Sequence, residues 1–342
     1  MSTATIKQKN KTDKVLIINK KLKPKPSIVY NTYWRFAAER QNIFFKRFNG
    51  EAFPWSKDSI LNQYKFTNVY RAADRVSQYL IKDVIYKGDQ SPNEIFFRLI
   101  LFKIFNRIST WEFLQEELGE LSWKKYSFKK YDKLLLELLD NKVSIYSAAY
   151  IMASGRSTFG FERKHQNHLK LVEKMIKEEV PYRLQECKKM DSAYNLLLSY
   201  PTVGEFLSYQ YVTDINYSPL TSFSEMGFVK AGPGAKDGIA KCFKDFGDYS
   251  FEDIIEMMAD NQEVEFERLG LDFNTLWGRK LQLIDCQNIF CEVGKYARVA
   301  HPEIVDYSHR TRIKQKFSVS SKDPIEFYFP PKWGINHLIN KK

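Results

Sequence analysis

The sequence predicts an all-α fold, and three observations carry that prediction. Apolar residues recur three and four positions apart through most of the chain, the period of a helix with one buried face. No run of alternating strands joined by hairpin turns appears before Lys316. The 342 residues are 44% apolar and 15% aromatic, which provides a sizeable core. We expect a body of roughly ten helices, with no Gly/Ser-rich or Pro-rich linker dividing it.

The helical pattern is clearest in the first half of the chain. Apolar residues repeat with helical spacing over 30–48, 59–85, 91–107 and 128–139. Turn-forming residues interrupt the pattern at 50–54, 88–92 and 155–160. Short extended pieces are expected at 15–18 and 327–329.

The basic charge of the chain lies at its two ends. Residues 1–27 carry eight lysines against one aspartate, and residues 310–342 carry eight lysines and arginines against two acidic residues. The net charge is +12, so the middle of the chain is nearly neutral. We predict a basic flexible tail over 1–27, a helical catalytic domain over 28–309 and a basic extension over 310–342. Two basic arms favour a polyanionic partner, because each Lys or Arg that meets a phosphate releases a counterion.

The cysteines indicate neither a metal site nor a disulfide framework. They lack the paired spacing of zinc and iron–sulfur sites, and we expect no metal and no cofactor. They are Cys187, Cys242, Cys286 and Cys291. Because no apolar run has the length of a signal or membrane-spanning segment, we expect a cytoplasmic protein with reduced thiols and no membrane partner.

Two further motifs are weak. Gly155 to Gly160 has the glycine spacing of a P-loop, but Phe161 and Glu162 stand where Lys and Ser or Thr contact phosphate and magnesium. A nucleotide kinase is therefore disfavoured. The histidines at positions 165 and 168, three residues apart, have no carboxylate set nearby in the sequence, and we expect them to be polar surface residues.

A turn between two helices is the most informative motif of the chain. Residues 197–208 read Leu-Leu-Ser-Tyr-Pro-Thr-Val-Gly-Glu-Phe-Leu-Ser, which is similar to the hairpin of a helix-hairpin-helix DNA-binding unit. In such a hairpin the backbone N–H groups of the turn face a phosphate, so DNA is held without its sequence being read. The residues expected to contact DNA in this turn and in a second, glycine-rich turn are Thr202, Val203, Gly204, Gly232 and Gly234.

The second turn contains the first catalytic candidate. Gly232, Pro233 and Gly234 predict a bend that is not helical, with a helix beginning at Asp237. In helix-hairpin-helix glycosylases an Asp follows the hairpin at the mouth of the base pocket and assists departure of the base. Asp237 is expected in that role, with a helix cap as the alternative. Lys236 is a candidate nucleophile at C1′, with a phosphate contact as the alternative.

Asp285 is the rival catalytic candidate. It lies among Leu283, Ile284 and Phe290, so burial would raise its pKa and suit acid–base work, or would make it a buried helix cap. Its surroundings resemble the glycosylase Val-Asp-Thr-His pattern if the glycine-rich turn, 232–238, is the hairpin instead.

Five ordered motifs resemble a known family. They read Tyr33-Trp-Arg-Phe36 with Glu39-Arg-Gln41, Phe66-Thr-Asn-Val-Tyr-Arg71 with Asp74-Arg75, Phe206-Leu-Ser-Tyr-Gln210 with Asp214-Ile-Asn-Tyr217, Gly232-Pro-Gly-Ala235, and Leu281-Gln-Leu-Ile-Asp-Cys-Gln287. Over about 28–300 the chain resembles the helical domain of hydroxymethyluracil DNA kinases and the related alpha-glutamyl/putrescinyl-thymine pyrophosphorylase group. The resemblance implies a fold distantly similar to helix-hairpin-helix glycosylases and action on hypermodified pyrimidines in phage DNA. The kinase domain is missing from this chain, so we expect the kinase activity not to apply.

Side chains in these motifs suit a base extruded from DNA. Aromatic rings offer stacking faces, and charged or amide groups offer donors and acceptors for a pyrimidine edge. The expected substrate-binding set is Trp34, Arg35, Glu39, Arg40, Asn68, Arg71, Gln210 and Gln287. Asn68 and Arg71, three apart on one expected helix face, are the leading pair. The alternative is that the aromatic residues are core and that the charges form surface pairs.

The sequence as a whole predicts a glycosylase-like hydrolase. It would flip a modified pyrimidine, hydroxymethylated or glucosylated, out of phage DNA and excise it in antiphage defence. One alternative is a transferase that acts on the hydroxymethyl group of a thymine derivative and leaves the glycosidic bond intact. The other is a non-catalytic protein that binds modified DNA. The expected partner is DNA carrying modified pyrimidines, and no protein partner is inferred.

Overall fold

The protein is mainly helical in a computed structural model that describes residues 22–305, 307–319 and 326–339. The helices of the first half are α1 (Ile28–Phe48), α2 (Ser59–Gln63), α3 (Arg75–Tyr79), α4 (Pro92–Phe105), α5 (Ile108–Leu118), α6 (Phe128–Asp140) and α7 (Arg156–Phe159). Those of the second half are α8 (Lys164–Lys177), α9 (Val180–Glu186), α10 (Met190–Leu198), α11 (Glu205–Ile215), α12 (Pro233–Cys242), α13 (Phe251–Asp260), α14 (Gln262–Arg268) and α15 (Leu283–Ala300). The prediction of an all-α fold is confirmed. No helix within the described ranges is long and apolar enough to cross a membrane.

Three of the four predicted helical stretches form as expected. α1, α4 and α6 lie within two residues of their predicted bounds. α1 begins because the Ser27 side chain accepts a hydrogen bond from the Val29 N–H, and basic residues occupy its last turn. α4 is buried on nearly every side, which explains its almost continuous apolar sequence.

The stretch 59–85 is not one helix, and that prediction is wrong. α2 ends after Gln63 because Tyr64 turns into an extended conformation, where it forms a β-bridge with Lys316. A short 3-10 turn, Arg71–Ala73, precedes α3, and the chain then winds into a π-helix over Leu80–Ile85. The apolar spacing persists across the break because these residues still face a core.

A pair of short strands was not expected from the sequence. β1 (Lys25–Pro26) and β2 (Phe243–Asp245) pair antiparallel. Strands of two and three residues are too short to show alternation, so the periodicity gave no signal. Residues 15–18 lie outside the described residues, and 327–329 form no strand.

The chain divides into two compact units, each assembled from separate segments. Unit 1 contains residues within 1–69, 231–275 and 281–320, and unit 2 contains residues within 70–230, 276–280 and 321–342. No local linker signal accompanies this division. The boundaries predicted at positions 27 and 309 remain predictions.

Glycines set the closest helix contact in unit 1. A Cβ built on Gly238 of α12 would lie 1.9 Å from the Phe290 carbonyl oxygen of α15. A Cβ on Gly294 would lie 3.0 Å from the Gly238 Cα. The two helices therefore pack backbone against backbone, which only glycine permits.

Candidate functional site

The predicted hairpin in unit 2 is an exposed turn between two helices. α10 ends at Leu198, and Gly204 is the N-cap of α11. Val203 is buried, whereas Gly204 is exposed and a Cβ on it would meet nothing within 4 Å. Among the described residues, the N–H groups of Gly204 and Glu205 have no hydrogen-bond acceptor. These donors can therefore bind an anion.

Thr202 gives the hairpin an unusual backbone. Its φ is 68°, in the left-handed region that β-branched residues rarely adopt. A Cβ on Gly155 would lie only 3.1 Å from the Thr202 methyl carbon, so the hairpin is packed closely against the 155–160 turn. That turn carries α7 between two glycines with positive φ, rather than the strand–loop–helix of a P-loop.

The glycine-rich turn in unit 1 differs from its prediction. Pro233 and Gly234 are the first residues of α12 and not a bend outside it, and Gly232 is the N-cap. Proline suits this position because its missing N–H has no partner at a helix start. Asp237 therefore lies in the second turn, half-buried, and is not the cap. Lys236 lies over the Phe251 ring, with its Nζ 5.6 Å from the ring centre.

Asp285 forms a capping box at the start of α15. Its carboxylate accepts a hydrogen bond from the Gln282 N–H at 3.1 Å, and its side chain is buried. The structure thus gives Asp285 the capping position that was its alternative role. Gln287, two residues later, is buried, and its Oε1 has no hydrogen-bond partner among the described residues.

A buried charge centre occupies unit 2. The Arg71 guanidinium donates to both Asp214 carboxylate oxygens, at 2.6 and 3.0 Å. Lys103 Nζ lies 3.1 Å from the Asp214 carboxylate and donates to Asn106 Oδ1 at 2.8 Å. The Tyr217 hydroxyl lies 3.3 Å from the same guanidinium. Three ionic groups are thus buried together, with two positive charges and one negative.

Burial and the attraction between opposite charges shift the pKa values of this centre in opposite directions. Burial lowers the pKa of Lys103, although the Asp214 carboxylate partly offsets that effect. Burial alone would raise the pKa of Asp214, but the adjacent Arg71 and Lys103 hold it below its usual value. The carboxylate therefore stays charged and fully partnered, which suits a structural role better than proton transfer.

A second polar network fixes the chain before Arg71. In unit 1, Arg40 donates to the carbonyls of Phe66 and Thr67 and to Asn68 Oδ1. Asn288 of α15 donates to the Asn68 carbonyl at 2.8 Å. Asn68 and Arg71 were expected on one helix face, but Asn68 lies in an irregular segment, Arg71 begins a 3-10 turn, and the two side chains have different partners.

A cleft of about 540 Å³ lies beside α1 in unit 1. Its lining includes the exposed Arg35, which has no ion-pair or hydrogen-bond partner among the described residues, and the half-buried Glu39. Glu39 accepts a hydrogen bond from the Ser56 hydroxyl. Asp58 accepts one from the Tyr296 hydroxyl at 2.6 Å. Burial raises the pKa of that phenol, and the hydrogen bond to Asp58 raises it further. The remaining lining residues are Thr32, Phe36, Ala38, Asn42, Gly270, Leu271, Asp272, Ala300 and His301.

The residues predicted to bind the substrate do not lie together in one site. Arg35 and Glu39 share the cleft, whereas Arg40 and Asn68 share the polar network. Trp34 is fully buried, in edge-on contact with Tyr33 and Phe266, so it belongs to the core. The buried Gln210 lies on α11.

Lys103 and Asp214 were missed as partners of Arg71. A signal existed, because Lys103, like Arg98, is a basic residue within the otherwise apolar run of α4. The histidines 165 and 168 were wrongly placed on the surface: both are buried, His165 against Asp132 at 2.7 Å and His168 between Tyr146 and the Ala153 carbonyl. In the ranges with described coordinates, no group of three His, Cys, Asp or Glu side chains could hold a metal ion.

Comparisons with known proteins point to one family. The family described as "5-hmdU DNA kinase, helical domain" matches residues 27–306. A curated relative, the 5-hmdU DNA kinase of Bacillus phage SP10, is 25% identical over 317 residues, covering 86% of this chain and 49% of the relative. The chain therefore spans about half the length of that relative. No solved structure matches.

These comparisons overturn the predicted excision of a base. Both names denote a kinase, which transfers a group and leaves the glycosidic bond in place. A hydrolase that releases a free base, with Asp237 or Asp285 assisting at C1′, is therefore the wrong class of enzyme. The transferase that the sequence left as an alternative is closer. Kinship with helix-hairpin-helix glycosylases is not shown.

Proposed function

The chain belongs to the family of 5-hmdU DNA kinase helical domains, and from this premise we propose that it binds DNA containing a hydroxymethylated pyrimidine. It would present the hydroxymethyl group of that base for group transfer. The carrying observation is the family match over residues 27–306, which includes the hairpin, the cleft and the motifs of the buried charge centre. The name of the phage relative supplies the substrate class.

The hairpin is the proposed phosphate contact. The unpaired N–H groups of Gly204 and Glu205 stand at the positive end of the α11 dipole. Thr202 and Val203 shape this turn. The start of α12 at Gly232 and Gly234, with Lys236 in its first turns, is a second proposed phosphate contact.

The cleft beside α1 is the proposed base site. Its volume of about 540 Å³ lies in the range of small-molecule sites and accommodates a nucleoside. The Arg35 guanidinium can donate to a pyrimidine carbonyl, and the Glu39 carboxylate can accept the hydrogen bond of the hydroxymethyl O–H. Such an acceptor would distinguish hydroxymethyluracil from thymine, because a methyl group leaves the carboxylate unpaired.

The same carboxylate suits transfer chemistry. As the hydroxymethyl oxygen attacks the terminal phosphorus of a nucleoside triphosphate, its proton would pass to Glu39. The bond between that phosphorus and the bridging oxygen breaks, and the nucleoside diphosphate leaves with the bonding electrons. Gly155 to Gly160 lacks the side chains of a phosphate-binding P-loop. We therefore assign recognition of the base, rather than binding of a phosphoryl donor, to the described residues.

Binding to matched duplexes tests recognition. A duplex with one hydroxymethyluracil should bind more tightly than the same duplex with thymine, as measured by fluorescence anisotropy. Arg35→Gln and Glu39→Gln should remove most of that difference, and Glu137→Gln, an exposed change on α6, should retain it. Equal affinity of the unaltered protein for both duplexes would overturn the proposal.

Nucleoside mass spectrometry tests transfer. The protein is incubated with hydroxymethyluracil DNA and a nucleoside triphosphate, and the DNA is then digested. A retained nucleoside with an added phosphoryl group would show transfer by this chain itself. Selective binding with unchanged nucleosides would restrict its role to recognition, and release of free base would contradict group transfer.

A further inference from the structure

An aromatic cluster in unit 1 lies outside the hairpin and the cleft. Phe53, Trp55 and Phe317 contact one another, with ring centres 5.2 to 6.1 Å apart. Phe53 is 43% exposed, which is unusual for a phenylalanine. Arg47 lies over Trp55, with the guanidinium carbon 5.1 Å from the ring centre. Aromatic surface and positive charge therefore occur together here.

The third ring of this cluster, Phe317, belongs to a basic segment, 310–317. Phe317 donates its N–H to the Gln63 carbonyl, and Lys65 donates to the Gln315 carbonyl. These two bonds pair the segment with the chain after α2, where Lys316 Nζ lies 4.4 Å from the Tyr64 ring centre. Ile313 is buried and anchors the segment from within.

The positive charges of this segment are not neutralised. Arg310, Arg312, Lys314 and Lys316 are all exposed, and within the described ranges none has a carboxylate partner. Surface cations in a purely structural role usually pair with acidic neighbours or are scattered among them. These four cations, without carboxylate partners, lie beside the exposed Phe53 ring and the half-buried rings around it, so the surface offers both phosphate contacts and a stacking face.

We propose that this surface, formed by Phe53, Trp55, Tyr64 and the segment 310–317, binds single-stranded DNA. The cations would contact the phosphates while unpaired bases stack on the exposed Phe53 and on the accessible edges of the half-buried rings, a combination that every base satisfies and that a paired duplex does not. The proposal rests on the proposed function only for the choice of DNA. A membrane surface fits less well, because the basic residues lie on an irregular segment rather than on an amphipathic helix.

Binding of an unmodified thymidine 20-mer to the whole protein tests the proposal. The single strand should bind more tightly than a duplex of the same length in fluorescence anisotropy. Phe53→Ala should weaken single-strand binding about tenfold and duplex binding little, because stacking is lost. Lys314→Gln with Lys316→Gln should reduce the slope of log affinity against log salt by about 1.4, since each lost phosphate contact in a single strand contributes about 0.7.

A control variant removes two positive charges from a different surface of the protein. Lys129→Gln with Lys133→Gln alters two exposed lysines of α6 in unit 2 and should leave single-strand affinity and salt slope nearly unchanged. Lys314 and Lys316 are exposed, so replacing them should not unfold the protein. The double variant therefore tests the proposal even if Phe53→Ala unfolds the protein.

The outcomes separate this inference from the proposed function. Loss of single-strand binding in the variants, with discrimination of hydroxymethyluracil intact, supports the surface. The same loss in a protein that never discriminates the modified base supports the surface and overturns the proposed function. Equal binding of single strand and duplex, unchanged binding in both variants, or preferential binding to phosphatidylserine vesicles would overturn the surface.

Discussion

At the scale of single residues, buried charge and close backbone contact define the most sensitive positions. Arg71, Lys103 and Asp214 are each at most 5% exposed, and the Asp214 carboxylate binds both cations. Gly238 has no space for a side chain beside the Phe290 carbonyl. Gly204, by contrast, has open space around it. The same substitution, Asp→Asn or Gly→Ala, should therefore lower the free energy of unfolding by different amounts at different positions.

Asp214→Asn should destabilise the protein by about 3 to 5 kcal/mol, because Arg71 and Lys103 would remain buried without their counter-charge. The measurement is the free energy of unfolding in urea. Asp83→Asn is the matched control, since it removes only a surface pair between the half-buried Asp83 and the exposed Lys87 and should cost less than about 1 kcal/mol. Similar losses for the two variants would contradict a special role for the buried centre.

Gly238→Ala should lower the free energy of unfolding by about 3 kcal/mol or more, because the new methyl group cannot avoid the Phe290 carbonyl without separating α12 from α15. Gly204→Ala adds the same methyl group where there is space, and should change the unfolding free energy by about 1 kcal/mol or less. Denaturant unfolding of both variants makes the comparison. Equal stability of the two would show that the helix contact is looser than described.

At the scale of elements, the turn between α10 and α11 combines exposure with unsatisfied donors. A helix start without a side-chain cap leaves N–H groups that water, a phosphate or another anion must satisfy. Asp285 shows the opposite arrangement, because its carboxylate already caps α15. The N-terminus of α15 is therefore capped by a side chain, whereas the N-terminus of α11 is not.

Gly204→Asp should weaken binding to all duplex sequences alike, since its carboxylate would repel a phosphate and the phosphate contact carries no sequence information. Anisotropy with two unrelated duplexes at several salt concentrations provides the test. Gly204→Ala keeps the turn uncharged and should bind nearly normally. A folded Gly204→Asp protein with unchanged affinity would remove the hairpin from the DNA-binding surface.

At the scale of the whole molecule, buried histidines make stability depend on pH. Burial lowers the pKa of His168 from 6.5 to about 4 and also lowers that of His165. Each is therefore held neutral in the folded protein while the unfolded chain binds a proton. The stability that this provides is complete above pH 6.5 and is lost as the pH falls toward 4.

Lowering the pH from 7 to 4.5 should therefore reduce the free energy of unfolding, with His168 contributing about 2 kcal/mol of the loss. Urea titrations at several pH values measure the slope. His168→Gln should flatten that slope even if it also lowers stability at pH 7, whereas His309→Gln, an exposed change, should leave it unaltered. A slope that is the same in all three proteins would contradict the assignment.

The sequence by itself determined the helical class, the bounds of α1, α4 and α6, and the family resemblance. It did so because helical periodicity, caps and ordered motifs are local properties of the chain. The sequence left a transferase open as an alternative, whereas its glycosylase-like hairpin and candidate aspartates favoured excision of a base. The comparisons, rather than the geometry, corrected that choice.

Only the tertiary structure decided which motif residues are accessible. Arg35 and Arg40 stand five residues apart on α1, yet one lines a cleft and the other is buried in a polar network. Arg71 meets Lys103 and Asp214, which are distant in sequence, and Asp285 proves to be a helix cap. Burial and partners depend on packing between remote segments, and a local pattern contains no information about them.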